Sequence, residues 1–203
     1  MGPECVGIFA ETFAAYLREI RGVDYLARAE PLGLSIEGGA LVIPLYDDVY
    51  LLSGTGVVAR NGIEPSAAVN VMLCKYVLTH QGEAEVGRDR LVTYREFRDS
   101  GPLTSYFTTN TNKTIESTFS GNISELSRRA LAIGGEIITS DSYDLSLEFY
   151  AFPRIPVILN FNDQDELFPA VCSVLYRSSA EQFLDMECLA MTGTLLTGKL
   201  IDS

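Results

Sequence analysis

The sequence predicts an α+β fold in a single domain: mainly an antiparallel sheet with helices packed on one face. Three observations carry this. Strand-length segments are grouped between segments of helical period, which favours hairpin-joined strands over alternating βαβ units. Turn residues such as Gly38-Gly39, Asp47-Asp48 and Asn162-Asp163 punctuate them. The 203 residues, 47% of them apolar, suffice for one core, and no Ser/Pro-rich stretch or charge block divides them.

The elements follow in order. Pro3 suits a first helical turn, and Ile8, Phe9, Phe13, Tyr16, Leu17 and Ile20 recur at helical spacing, so a helix is predicted over residues 3–20. Residues 34–37, 40–45 and 49–53 read as a meander of short strands. Pro44 has no N–H for a ladder, which places its strand at an edge or interrupts it. Pro65 opens a helix with Val69, Met72, Leu73, Tyr76 and Val77 on one side and Val71, Cys74 and Leu78 on the other. Being apolar nearly all round, it is expected to be central and to stop at Gly82, ahead of a polar loop over residues 81–90.

Residues 91–97 read as a strand ended by the turn Asp99-Ser100-Gly101-Pro102, and residues 103–119 as a helix despite their threonines. Asn122 and Glu125 suggest a capping box for a helix closed by Gly134-Gly135. Tyr143, Leu145, Leu147 and Phe149 alternate with polar residues, as in a strand with one wet face. The nearly continuous apolar run 157–161 suits a central strand, and a turn leads from it into residues 170–176. Ser178 and Glu181 suggest a second capping box launching a last helix through Leu200.

Composition excludes several functions. No apolar run approaches the ~20 residues of a membrane helix, and no secretory signal opens the chain, so a cytoplasmic protein away from membranes is expected. Cys5, Cys74, Cys172 and Cys188 form no CxxC pair, which predicts reduced thiols, no metal site and no cofactor. With 27 acidic against 15 basic residues the net charge is −12, so nucleic acid is not an expected partner.

The second half carries a family resemblance. It lies in the order of Tyr94-Arg95-Glu96-Phe97, Ser100-Gly101-Pro102-Leu103-Thr104-Ser105-Tyr106-Phe107, Gly134-Gly135-Glu136, Phe152-Pro153-Arg154-Ile155-Pro156-Val157 and Asp163-Gln164-Asp165-Glu166-Leu167-Phe168-Pro169. These resemble an uncharacterised bacterial and archaeal family, domain of unknown function 3786, mainly from Leu91 onward. The resemblance implies a link to anaerobic corrinoid and iron–sulfur metabolism, because some members look to be joined to an iron–sulfur module of that type. No such module is found in these residues, and the resemblance carries over no catalytic residue.

Candidate ligand-binding residues are Arg95, Arg154, Asp163, Asp165 and Glu166. Three carboxylates within four residues can hold a hard cation, but the glycine and distal glutamate of an EF-hand loop are missing, and a turn explains them as well. Arg154 opens a predicted central strand and is a candidate contact for a small anionic ligand, near Arg95 if their strands pair. It should lie at the opposite end of that strand from the acidic turn. His80 reads as a helix-end cation, and Ser53-Gly54-Thr55-Gly56 as a tight turn without the Lys-Ser/Thr of a P-loop. The leading expectation is a non-catalytic accessory or small-ligand-binding domain. The alternatives are an enzyme using a carboxylate and arginine site, and a module that binds a protein partner. Self-association is left open.

Overall fold

A computed structural model describes residues 3–79 and 89–202, so the readings of His80 and of Gly82 as a helix stop lie outside the described residues. Helix α1 (Pro3–Gly22) forms where the spacing predicts it and buries Leu17 and Ile20. A short helix α2 (Ala29–Leu32), ended by Gly33 at φ 71°, leads into an antiparallel meander. Its strands β1 (Ser35–Glu37), β2 (Ala40–Leu45), β3 (Asp48–Ser53) and β4 (Gly56–Ala59) pair in sequence order and form a sheet of their own.

Pro44 is accommodated by register rather than by an edge strand. It pairs with Val49 next to the closing Leu45/Asp48 pair, whereas β1 reaches only as far as Val42. The missing N–H therefore faces a side with no ladder to complete. At the β2–β3 turn Tyr46 takes φ 55°. Two bonds hold this strained backbone: the Tyr46 N–H donates to Ala151 O (3.2 Å) and its hydroxyl to Thr192 O (2.9 Å).

Helix α3 (Ala67–Thr79) is central, with Val69, Val71, Met72, Leu73, Cys74, Tyr76 and Val77 all buried. Strand β5 (Leu91–Thr93) is shorter than the 91–97 expected. Glu96 accepts the Thr93 N–H (2.8 Å) in a capping box that bends Tyr94–Glu96 into a 3-10 turn, which carries Arg95 out of the sheet. The predicted helix over 103–119 is present as α4 (Thr104–Phe107), a π-helical turn (Thr108–Lys113) and α5 (Thr114–Phe119). The Thr114 hydroxyl donates to Thr109 O (2.9 Å), five residues back, the spacing that a π turn supplies.

Helix α6 (Ile123–Ala132) lacks the expected capping box. Glu125 turns outward and pairs with Arg128 and Arg129 at 2.8 and 2.7 Å, which hold its carboxyl down at about 2. Four more strands follow: β6 (Glu136–Ile138), β7 (Leu145–Phe152), β8 (Ile155–Asn162) and β9 (Val171–Arg177). They join β5 in a second antiparallel sheet ordered β5-β9-β8-β7-β6. Leu147, Leu159 and Val174 form a fully buried row across β7, β8 and β9, and Ser146, Asn160 and Ser173 form the adjacent row on the other face. Tyr176, on the apolar face, is bonded to Thr192 (3.1 Å) of the last helix, so the helices do gather on one face of this sheet.

That helix, α7 (Met186–Asp202), starts later than the Ser178/Glu181 pair suggested, because a 3-10 turn occupies Ser178–Gln182. Its cap is Asp185, whose Oδ1 accepts the Cys188 N–H (2.9 Å) while Oδ2 pairs with Lys75 of α3 at 3.0 Å. Burial alone would raise the Asp185 carboxyl, but these two partners outweigh it and hold the carboxyl below its ordinary value. A carboxyl depressed by folding adds stability that is complete above its unfolded value of about 3.9 and is lost as pH falls through its lower folded value. Asp185→Asn retains a capping oxygen and removes the charge. The protein is expected to exceed this variant in stability at neutral pH, with the gap closing below about pH 4. Urea titrations at stepped pH measure it, and a gap that stays constant with pH would show that the Asp185 charge is not engaged.

Candidate functional site

The residues singled out by sequence do not converge. Arg154 lies in the β7–β8 turn, where its side chain closes the end of α2. Its Nε donates to Pro31 O (3.0 Å) and its Nη2 to Glu30 O (3.4 Å), while its backbone N–H donates to the Tyr76 hydroxyl (3.2 Å). Arg95 is exposed beside β5, and β9 separates that strand from β8. The acidic turn follows Asn162 at the far end of β8, opposite Arg154.

In that turn the carboxylates organise backbone. Asp163 Oδ1 accepts the N–H groups of Gly121 (2.6 Å) and Gln164 (2.8 Å). Asp165 Oδ1 accepts those of Leu167 and Phe168, both at 2.7 Å, and these two bonds hold its carboxyl below the ordinary value. Glu166 is exposed. Among the described residues no group of three or more His, Cys, Asp or Glu is placed to hold a metal ion. Cys74, Cys172 and Cys188 are free and buried, and burial pushes each thiol up, Cys74 to about 12, so they are not poised as thiolate nucleophiles.

Two hollows remain. One, of about 520 Å³, lies beside α5 over Lys113 and Glu116. The Glu116 carboxylate is already engaged there, accepting the Cys172 N–H (3.0 Å) and the Lys113 ammonium (2.6 Å). The other is a cleft of about 700 Å³ between α3 and α7. Its α7 wall consists of Ala190, Met191, Thr194, Leu195 and Gly198, which recur at intervals of three and four along one helix face. Val69 and Met72 of α3 form the opposite wall, and Leu103 and Tyr106 close one side.

Charge enters only at the margins of this cleft. Lys199 is clasped by Asp47 (2.5 Å) and Asp48 (2.7 Å) of the β2–β3 turn. Burial opposes the charge on Lys199, but the two carboxylates outweigh burial and hold the ammonium above its ordinary value. One cation against two anions leaves that edge acidic. Glu187 and Asp202 mark the two ends of the α7 wall, and neither has a basic partner among the described residues.

Sequence reasoning did not single out the cleft residues. The signal was present but ordinary: on α7 they read as one more apolar helix face, and nothing in the pattern marks that face as half-open rather than covered. No helix among the described residues is long and apolar enough to cross a membrane. A family model described as Domain of unknown function (DUF3786) matches residues 24–199. No curated protein and no solved structure matches the chain.

Proposed function

The chain belongs to the DUF3786 family, and on that premise we propose that it is a non-catalytic accessory domain that holds an apolar ligand in the cleft between α3 and α7. The cleft carries this reading. Its volume of about 700 Å³ lies within the usual range of ligand sites, its walls are mainly apolar, and its few ionisable groups lie at the margin. The link to corrinoid and iron–sulfur metabolism implied by the sequence resemblance fits an accessory role. The acidic margin favours a ligand that is neutral or cationic over the small anion suggested by Arg154, whose donors already serve the end of α2.

Gly198 supplies the test. Among the described residues a Cβ built there meets nothing within 4 Å, so a side chain can branch from this position toward the cleft and also removes the helix-interior cost of glycine. Thermal-shift screening of small apolar and amphipathic compounds against the unmodified protein and Gly198→Trp is the experiment. A compound at a hundred times its dissociation constant raises stability by about 2.7 kcal/mol. That shift is expected with the unmodified protein and not with Gly198→Trp; equal shifts in both proteins would overturn the cleft assignment.

A further inference from the structure

Resting on the cleft as the ligand site, we propose that its occupant is the apolar face of an amphipathic helix from a partner protein, with a Lys or Arg at each end of that face. Length is the first argument. The wall of the cleft runs along α7 from Glu187 to Asp202, fifteen residue-to-residue steps at ~1.5 Å rise, or about 22 Å. A helix of about four turns matches that length along the whole wall.

Shape is the second argument. Ala190, Thr194 and Gly198 put small side chains at successive turns of the wall, which allows another helix to approach closely. Glycine at 198 costs helix stability, and no contact among the described residues requires it, since a Cβ there would meet none of them within 4 Å. An incoming helix supplies the missing neighbour.

Charge selects the partner. Glu187 and Asp202 stand about 22 Å apart at opposite ends of the trough without basic partners among the described residues, and Lys199 is neutralised by Asp47 and Asp48. A helix with basic residues at both ends of its apolar face pairs with those carboxylates, and a helix with acidic ends is repelled.

The test uses two dye-labelled synthetic helices of about 16 residues, each with leucines on one face, one with Lys and the other with Glu at both ends of that face. Fluorescence anisotropy is expected to show saturable binding of the Lys helix to the full chain, weakened by added salt, and weak or no binding of the Glu helix. The double variant Glu187→Lys with Asp202→Lys should lose about tenfold for the Lys helix and gain for the Glu helix, an inversion that partial unfolding could not produce. Gly198→Trp should abolish binding of either. Equal binding of both helices, or no inversion in the double variant, overturns the inference. If neither helix binds while small compounds still stabilise the unmodified protein and not Gly198→Trp, the helix inference falls and the cleft stands; if those shifts also survive Gly198→Trp, both fall.

Discussion

Replacing Tyr76 by Ala is expected to destabilise the protein by about 3–5 kcal/mol, the range for deleting a large buried aromatic side chain. Tyr76 is fully buried on α3, and its ring stacks on Phe152 at 4.3 Å with 13° between planes. Its hydroxyl donates to Leu32 O (2.8 Å) and accepts the Arg154 N–H (3.2 Å), so one side chain joins α3, the end of α2 and the β7–β8 turn. Burial pushes the phenol well above its ordinary value, which keeps the donor proton in place at any working pH. Tyr76→Phe separates the two contributions. It keeps the stack and leaves a buried carbonyl and an N–H without their partner, at about 1–3 kcal/mol. Urea midpoints at constant m-value measure both variants. A Phe variant within about 0.5 kcal/mol of the parent would mean that water replaces the hydroxyl and that the joint is made by the ring alone.

This joint explains why the conspicuous residues of the sequence misled. Phe152-Pro153-Arg154 is a strong pattern because it builds the turn that locks α2 to the second sheet, and the arginine donors are directed at backbone carbonyls. Asp163 ties this loop to the backbone of Gly121, and Asp165 organises the loop's own backbone at Leu167 and Phe168. In both cases the residue types suited ligand binding, and the fold uses them to satisfy backbone groups.

Elements whose burial is decided locally were legible. The all-round apolar α3 and the continuous apolar run of β8 stand where the pattern puts them. β7 keeps its alternation, but the wet face expected of it is largely covered: Ser146 is buried and donates to Asn160 (2.8 Å), and Glu148 is half-buried. The edge strands β4 and β6 were missed. They are short, and their pairing depends on neighbours already in place rather than on alternation of their own. The capping boxes read at Asn122 and Ser178 failed for a related reason. Glu125 has two arginines within reach on its own helix, and Ser178 bonds to Arg90 and Asp89 across the β5–β9 pairing. The cleft is a relation between two helix faces and a turn, which no window of sequence displays.

Gly193 and Gly198 are one and a half turns apart on α7 and indistinguishable by helix propensity, yet alanine is expected to act in opposite directions at the two sites. At Gly198 the new methyl meets nothing within 4 Å, so Gly198→Ala should stabilise the protein by about 0.5–1 kcal/mol. At Gly193 the Cβ would lie 2.5 Å from Phe107 Cε2 and 3.1 Å from Thr111 Oγ1. Phe107 cannot swing away, because its ring stacks on Tyr94 at 4.5 Å and leans on Tyr176 at 6.1 Å. Thr111 is equally fixed, fully buried in the π-helical turn that packs on α7. Overpacking such a site costs about 3 kcal/mol, against a propensity gain of about 1, so Gly193→Ala should lose about 2 kcal/mol. Phe107→Leu in the Gly193→Ala background should recover part of that loss. The resulting non-additivity in a double-mutant cycle would identify the Phe107 ring as the obstacle. Strict additivity of the two changes, or a stabilising Gly193→Ala, would mean that α7 can move off the sheet without penalty and that the glycine does not set the helix-to-sheet distance.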